Sequence, residues 1–148
     1  MLKAFRYRIL PTIEQADLLN KHMGAVRFVY NPALETKTFA YSTKQVNISR
    51  YDLQVQLKDL KSECEWLKEV NSQSLQCSLL NLDMAYANFF KGIADFPTFR
   101  KKHGKQSFQC PQNVTVDFKT ATIDLTMVGA LKQEKLAMGK PERALPDT

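Results

Sequence analysis

Cysteine is scarce in this chain and never paired at short spacing. The 148 residues hold three, Cys64, Cys77 and Cys110; the odd count and the lack of any CxxC pair argue against a disulfide framework and against a zinc site within these residues. Each reads as a reduced, small apolar side chain. Histidine is limited to His22, at an expected helix end, and His103, in a basic loop, and neither has the spacing of a metal ligand or of a nucleophile's partner. No GxxxxGK phosphate loop occurs. A two-metal nuclease needs several carboxylates converging on ions about 4 Å apart. Here only Asp117 and Asp124 fall in expected strands, where ordinary surface polarity accounts for both. No run approaches the roughly 18 apolar residues of a membrane span, and MLKAFRYRIL interleaves bases through what would be a signal core, so a soluble cytoplasmic protein without membrane partners is expected. No cofactor is expected in this chain, whose residue chemistry is that of a binding module.

What is present is focused positive charge. The run Phe96 to Phe108, FPTFRKKHGKQSF, interleaves three phenylalanines with Arg100, Lys101, Lys102 and Lys105. From Lys91 to Lys105 five bases face Asp95 alone, and the first ten residues add Lys3, Arg6 and Arg8. With those eight bases and one acid set aside, 13 bases meet 14 acids, so a chain of net charge +6 is near neutral elsewhere. Concentrated Lys and Arg suit a polyphosphate partner, because each neutralised phosphate releases condensed counterions, and neighbouring aromatic faces can stack on unpaired bases. A solvated loop with two phenylalanines tucked into a core is the competing reading.

The 44% apolar content suffices for a packed core in one domain or two small interlocked ones. In KAFRYRI, Phe5, Tyr7 and Ile9 alternate with Arg6 and Arg8, which predicts a strand with a buried aromatic face and a basic outer face. Pro11 ends it, and Thr12 with Gln15 predicts a capping box for a helix to about Met23. Gly24 is expected to break the chain before a second helix carrying Val26, Val29, Tyr30 and Ala33, with Pro32 inside it at a cost of about 3 kcal/mol if unrelieved. Such a pair is either an ordinary helical hairpin or a helix-turn-helix with Arg27 and Asn31 facing DNA. Ser49 with Asp52 predicts a third helix bearing Leu53, Leu57 and Leu60. Asn71 predicts the cap of a fourth, with Leu75, Leu79, Leu82, Tyr86 and Phe89 as its apolar stripe and Gly92 as its stop. Ser72 and Gln76 lie one turn apart off that stripe, where they read either as groups available to phosphate and adenine or as solvent-facing polars. Val114, Val116 and Phe118, then Ile123 and Leu125, predict a hairpin. Past Thr126 periodicity is lost and fraying is expected.

Taken in order, YRILPTIEQ, RFVYN, WLKEVNSQSLQCSLLNLDMAYANFFKG and FPTFRKKHGKQSFQCPQNV resemble the N-terminal half of TnpB (OrfB) proteins, transposon-encoded RNA-guided DNA endonucleases related to type V CRISPR effectors. The resemblance is strong from Met1 to about Asn113 and weak to about Leu131. It implies an α+β fold, with a helical recognition domain of about four helices inserted into an incomplete oligonucleotide-binding-like β-barrel, the wedge domain. The implied parts are a first barrel strand over 1–11 and a recognition domain over 12–95 whose hairpin or helix-turn-helix covers 12–45. A basic loop and return into the barrel follow over 96–131, then a divergent frayed tail over 132–148.

The implied partners are a guide RNA transcribed from the transposon end and double-stranded DNA bearing a short adjacent motif, with guide pairing reading the target. Tyr51, Gln76 and the region of Asn113 match family positions near that motif, and Ser72 stands where some members carry lysine. Family members run to more than twice this length, into a RuvC-like nuclease and a four-cysteine zinc ribbon that these residues do not contain. A family strand resembling LPKIG stands here as LTMVG. A truncated, frameshifted or split copy that binds nucleic acid without cutting it is therefore expected. A fragment that docks on a full-length relative or a separately encoded nuclease half, or competes for its guide RNA, and a functionless remnant are the alternatives.

Overall fold

The computed structural model describes residues 4–111, 114–125 and 136–142. It is α+β and divides into two compact units, Met1–Leu19 with Gln112–Thr148, and Asn20–Pro111. The family expectation puts these boundaries at 11 and 96.

The first unit carries a four-stranded antiparallel sheet in the order β1-β4-β3-β2, with β1 Arg6–Leu10, β2 Val114–Asp117, β3 Thr122–Leu125 and β4 Leu136–Glu142. The β2–β3 hairpin forms where period-two patterning predicts it, in register from Val114 opposite Leu125 to Asp117 opposite Thr122. Asp117 Oδ1 accepts the backbone N–H groups of Lys119 and Thr120 at 2.9 and 3.3 Å. That carboxylate therefore builds the turn. β4 corrects the expectation of a frayed tail over its seven residues, and it lies between β1 and β3. Its sequence, LAMGKPE, hides the strand because a bulge interrupts it: Tyr7 pairs with Pro141 but Ile9 with Met138, leaving Gly139 and Lys140 opposite Arg8. A Cβ on Gly139 would stand 3.3 Å from the Arg8 carbonyl oxygen, so the close approach selects glycine. The buried aromatic face expected for β1 is also corrected. Phe5 and Ile9 are exposed, and Tyr7 is half-buried with its ring 6.0 Å from that of Phe118.

The second unit is helical and holds one apolar core. Helix α1 runs unbroken from Ile13 to Lys44, which corrects the expected two-helix hairpin and reduces the count to three α-helices among the described residues. Thr12 and Gln15 form the predicted reciprocal cap at its start. Gly24 does not end the helix, because it is flanked by Ala25, Val26, Val29 and Tyr30, all buried, and their burial outweighs glycine's backbone entropy. Pro32 is carried likewise between Val29 and Ala33, and its own carbonyl accepts from Thr36 Oγ1 at 2.8 Å. The amide missing at Pro32 would have bonded the carbonyl of Phe28, so the helix forgoes one ladder bond there. A Cβ on Gly24 would meet nothing nearer than Arg27 Nη2 at 3.7 Å. Gly24→Ala is therefore expected to stabilise the protein by about 0.5–1 kcal/mol, read as a raised thermal midpoint.

Helix α2, Arg50–Glu63, starts at the predicted Ser49–Asp52 capping box and buries Leu53 and Leu57. A short 3-10 helix, Glu65–Glu69, contributes Leu67 to the core. Helix α3, Ser72–Phe90, is capped by Asn71, whose side chain accepts from the Gln73 amide, and buries Leu75, Leu79, Leu82 and Tyr86. It stops at Gly92, which has φ +74°. The Gly92 N–H reaches the Phe89 carbonyl and the Ile93 N–H that of Asn88, the paired bonds of a left-handed helix stop. Lys37 ties the α1–α2 connection down: its buried ammonium donates to the Ile48 carbonyl at 2.6 Å and to Asn47 Oδ1 at 3.3 Å. Burial pushes that ammonium below the usual lysine range, and Asp83 at 4.0 Å opposes the shift.

Candidate nucleic-acid interface

After α3 the chain runs to Pro111 without regular secondary structure, and this segment holds the basic run. It is strapped against α1 in the reverse direction. Asn31 holds the main chain of Arg100 from both sides, its Nδ2 donating to the Arg100 carbonyl at 3.0 Å and its Oδ1 accepting the Arg100 N–H at 2.8 Å. One turn earlier on α1, Arg27 Nη1 donates to Gln106 Oε1 at 2.9 Å. Further toward the N-terminus of α1, the buried His22 ring packs 5.2 Å from that of Phe108. Asn31 and Arg27, one turn apart on one face of the helix, thus receive residues 100 and 106, and His22, on the core side, receives Phe108.

The helical core secures both ends of the strap. At its start the Phe96 ring meets Tyr86 and Phe89 edge-on, at 5.4 and 5.1 Å. At its end Ser74 Oγ donates to the Gln109 carbonyl at 2.6 Å, and Phe108 packs against the core cluster. Phe99 between them is exposed. His22 is fully buried and accepts the Asn71 N–H through Nε2 at 3.2 Å, so it joins α1 to the cap of α3. Cys110 lies beside Ser74; burial pushes its thiol up, which the Ser74 hydrogen bond opposes and nearby Cys77 reinforces. All three cysteines are free thiols. Among the described residues no group of three or more His, Cys, Asp or Glu is placed to hold a metal, and no helix is long and apolar enough to cross a membrane.

The strap fixes where the charges point. The Arg100 guanidinium lies 4.2 Å from the centre of the Tyr30 ring, a cation–π seat that holds it against α1. Lys101, Lys102 and Lys105 are exposed around a turn closed by the Gly104 N–H on the Lys101 carbonyl at 3.2 Å. Arg27, Arg100, Lys101 and Lys105 line one cleft with Gln106. The expectation that Arg27 and Asn31 both face outward for DNA is corrected for Asn31, whose amide is spent on the strap.

The remaining candidates do not line this cleft. Tyr51 opens α2 with its ring exposed and the Arg50 guanidinium 5.1 Å above it. Ser72 and Gln76 are exposed on the first turns of α3. Arg6 and Arg8 are exposed on β1, in the sheet-bearing unit. Asn113 lies outside the described residues. Asn31, Tyr30, Gln106 and Ser74 position the strap, a role that no local pattern announces: Asn31, read from the sequence only as a group available to DNA, meets a partner 69 positions away.

A helical core that carries a basic strap, preceded by a basic strand, has the features of a nucleic-acid-binding module. Residues 1–45 match the family model described as a helix-turn-helix domain, of OrfB type; in this structure the matched segment holds β1 and the single helix α1. The chain is 42% identical over 116 residues to the virulence protein VsdF of Salmonella dublin, covering 71% of this chain and 98% of that protein. It is 34% identical over 133 residues to InsQ of Escherichia coli and 39% identical over 102 residues to a protein of Streptomyces pristinaespiralis, both named as putative RNA-guided DNA endonucleases. Those matches cover 88% and 68% of this chain but 33% and 25% of the two relatives. The chain belongs to the TnpB/OrfB family and corresponds to its transposase-related N-terminal region.

Proposed function

We propose that this region binds a structured guide RNA and the duplex DNA beside its target, through the strap and the residues around it, and performs no cutting chemistry itself. The observation that carries the reading is the strap. Four cations, Arg100, Lys101, Lys102 and Lys105, lie on a segment whose main chain is fixed to α1 at Asn31, so the charge is ordered before any ligand arrives. The names of the longer relatives, InsQ among them, support RNA and DNA as the partners. Tyr51, Ser72, Gln76 and Asn113 are the proposed readers of the DNA motif, and Arg6 and Arg8 the proposed contacts from a wedge-type barrel to which the four-stranded sheet would contribute.

The purified chain is expected to bind a structured RNA or duplex DNA at low salt, with affinity falling steeply as salt rises. Changing Lys101, Lys102 and Lys105 together to alanine is expected to flatten the log–log salt slope by about 0.7–0.9 for each phosphate that is no longer neutralised. No binding at low salt would sink the reading. A second reading, competition with a longer relative for the same RNA, is favoured by one observation: the match to VsdF spans 98% of that protein, so a relative of this span exists. Pull-down of the longer protein that survives ribonuclease would point to direct docking; a pull-down abolished by ribonuclease would point to shared RNA.

A further inference from the structure

We propose that the cleft between α1 and the strap is a seat for a single phosphodiester of a polynucleotide backbone, taking one non-bridging oxygen between Arg27, Arg100, Lys101 and Lys105. Such a seat deepens the nucleic-acid-binding reading above and rests on it. Met23 and Val26 of α1 give the cleft apolar walls, and its polar lining is basic or neutral, with no carboxylate among the described residues that form it. None of the four cations is ion-paired among the described residues, so their charge is available to a ligand.

The cleft is shallow and open at its mouth, so it takes one face of a group and leaves the rest in solvent. A backbone phosphodiester suits such a site, because a charged non-bridging oxygen can turn toward the cations while its two chain-bearing oxygens stay outside. Orientation supports the same assignment. Gln106 Oε1 accepts from Arg27 Nη1 at 2.9 Å, while the Gln106 side-chain amide donates to the Lys102 carbonyl, so the guanidinium is held by a group that is itself held. The remaining N–H groups of Arg27 can then meet an anion at little further cost in freedom. Arg100 is fixed by Asn31 and Tyr30 in the same way. A flexible lysine tuft has none of this preorganisation.

The experiment uses the full chain and two probes, inorganic phosphate and a short single-stranded oligouridylate, with Arg27→Gln as the main variant, Lys105→Gln as a second from an exposed position, and Lys58→Gln on α2 as the control. Circular dichroism checks that each variant keeps its helices. Phosphate is expected to shift the side-chain NMR signals of Arg27 and Gln106 saturably in the unmodified chain. Arg27→Gln and Lys105→Gln are each expected to weaken oligouridylate binding about tenfold at low salt, the size of one charge-assisted hydrogen bond, with Lys58→Gln near unchanged. Saturable phosphate shifts with full oligouridylate affinity in the variants would overturn the assignment to a polynucleotide. Oligouridylate binding that falls equally in all three variants, with no phosphate shifts at Arg27, would overturn the seat while leaving nucleic-acid binding intact. Binding of neither probe would overturn the seat, and the structured RNA or duplex DNA of the previous test then decides the nucleic-acid reading separately. Should Arg27→Gln fail to keep its helices, Lys105→Gln decides alone by the same criteria.

Discussion

Leu79→Ala is expected to lower the unfolding free energy by about 2–5 kcal/mol, the range for truncating a fully buried leucine. Leu79 is 1% exposed and sits midway along α3, facing both α1 and α2. A cleft of about 120 Å³ already lies beside it, between Val29, Ala33, Leu53 and Leu57. Truncation would enlarge that space and weaken the packing of three helices at once. Native domains carry only about 5–15 kcal/mol of stability, so the variant would be depleted of folded protein at physiological temperature. Denaturant titration followed by circular dichroism measures it. A change under about 1 kcal/mol would show that this core is not packed as described.

Asn31→Ala should weaken nucleic-acid binding about tenfold at low salt although every Lys and Arg remains in place. The asparagine supplies both hydrogen bonds that bracket Arg100, at 3.0 and 2.8 Å, and alanine can replace neither. Freed there, the Arg100 main chain would no longer hold the guanidinium against the Tyr30 ring, and the strap would have to be ordered at the moment of binding. Ordering a residue's backbone costs roughly 1–2 kcal/mol, which sets the size of the effect. A mechanism that depends only on the number of charges predicts no change, so the variant separates a built surface from a diffuse basic patch. Faster amide exchange at Arg100, together with unchanged global unfolding, would locate the effect in the strap. Unchanged affinity with a freely exchanging Arg100 amide would show that preorganisation contributes nothing.

The parts of the fold that were legible in the amino-acid order are those decided within a few residues. Thr12 with Gln15, Ser49 with Asp52, and Asn71 with Gln73 each satisfy a helix start across two or three positions, and Gly92 ends α3 because a left-handed turn favours a residue without Cβ. The leucine stripe of α3 and the period-two hairpin of β2 and β3 are equally local, and so is the concentration of bases between Lys91 and Lys105. The family was legible too, through the order of its segments.

Tertiary structure decided the rest. Gly24 and Pro32 each carry a local preference against helix, yet α1 continues through both, since Val26, Val29, Tyr30, Ala33 and Leu34 are buried together only if the helix stays whole. β4 exists because β1 and β3 flank it, and its bulge erases the alternation that would have announced it. The strap is the same case at the site. Sequence alone determined that this chain carries a focused set of cations; where they point was settled by Asn31, Arg27 and Ser74, which meet partners 69, 79 and 35 positions away. Such pairings depend on chain closure, and no local preference encodes them.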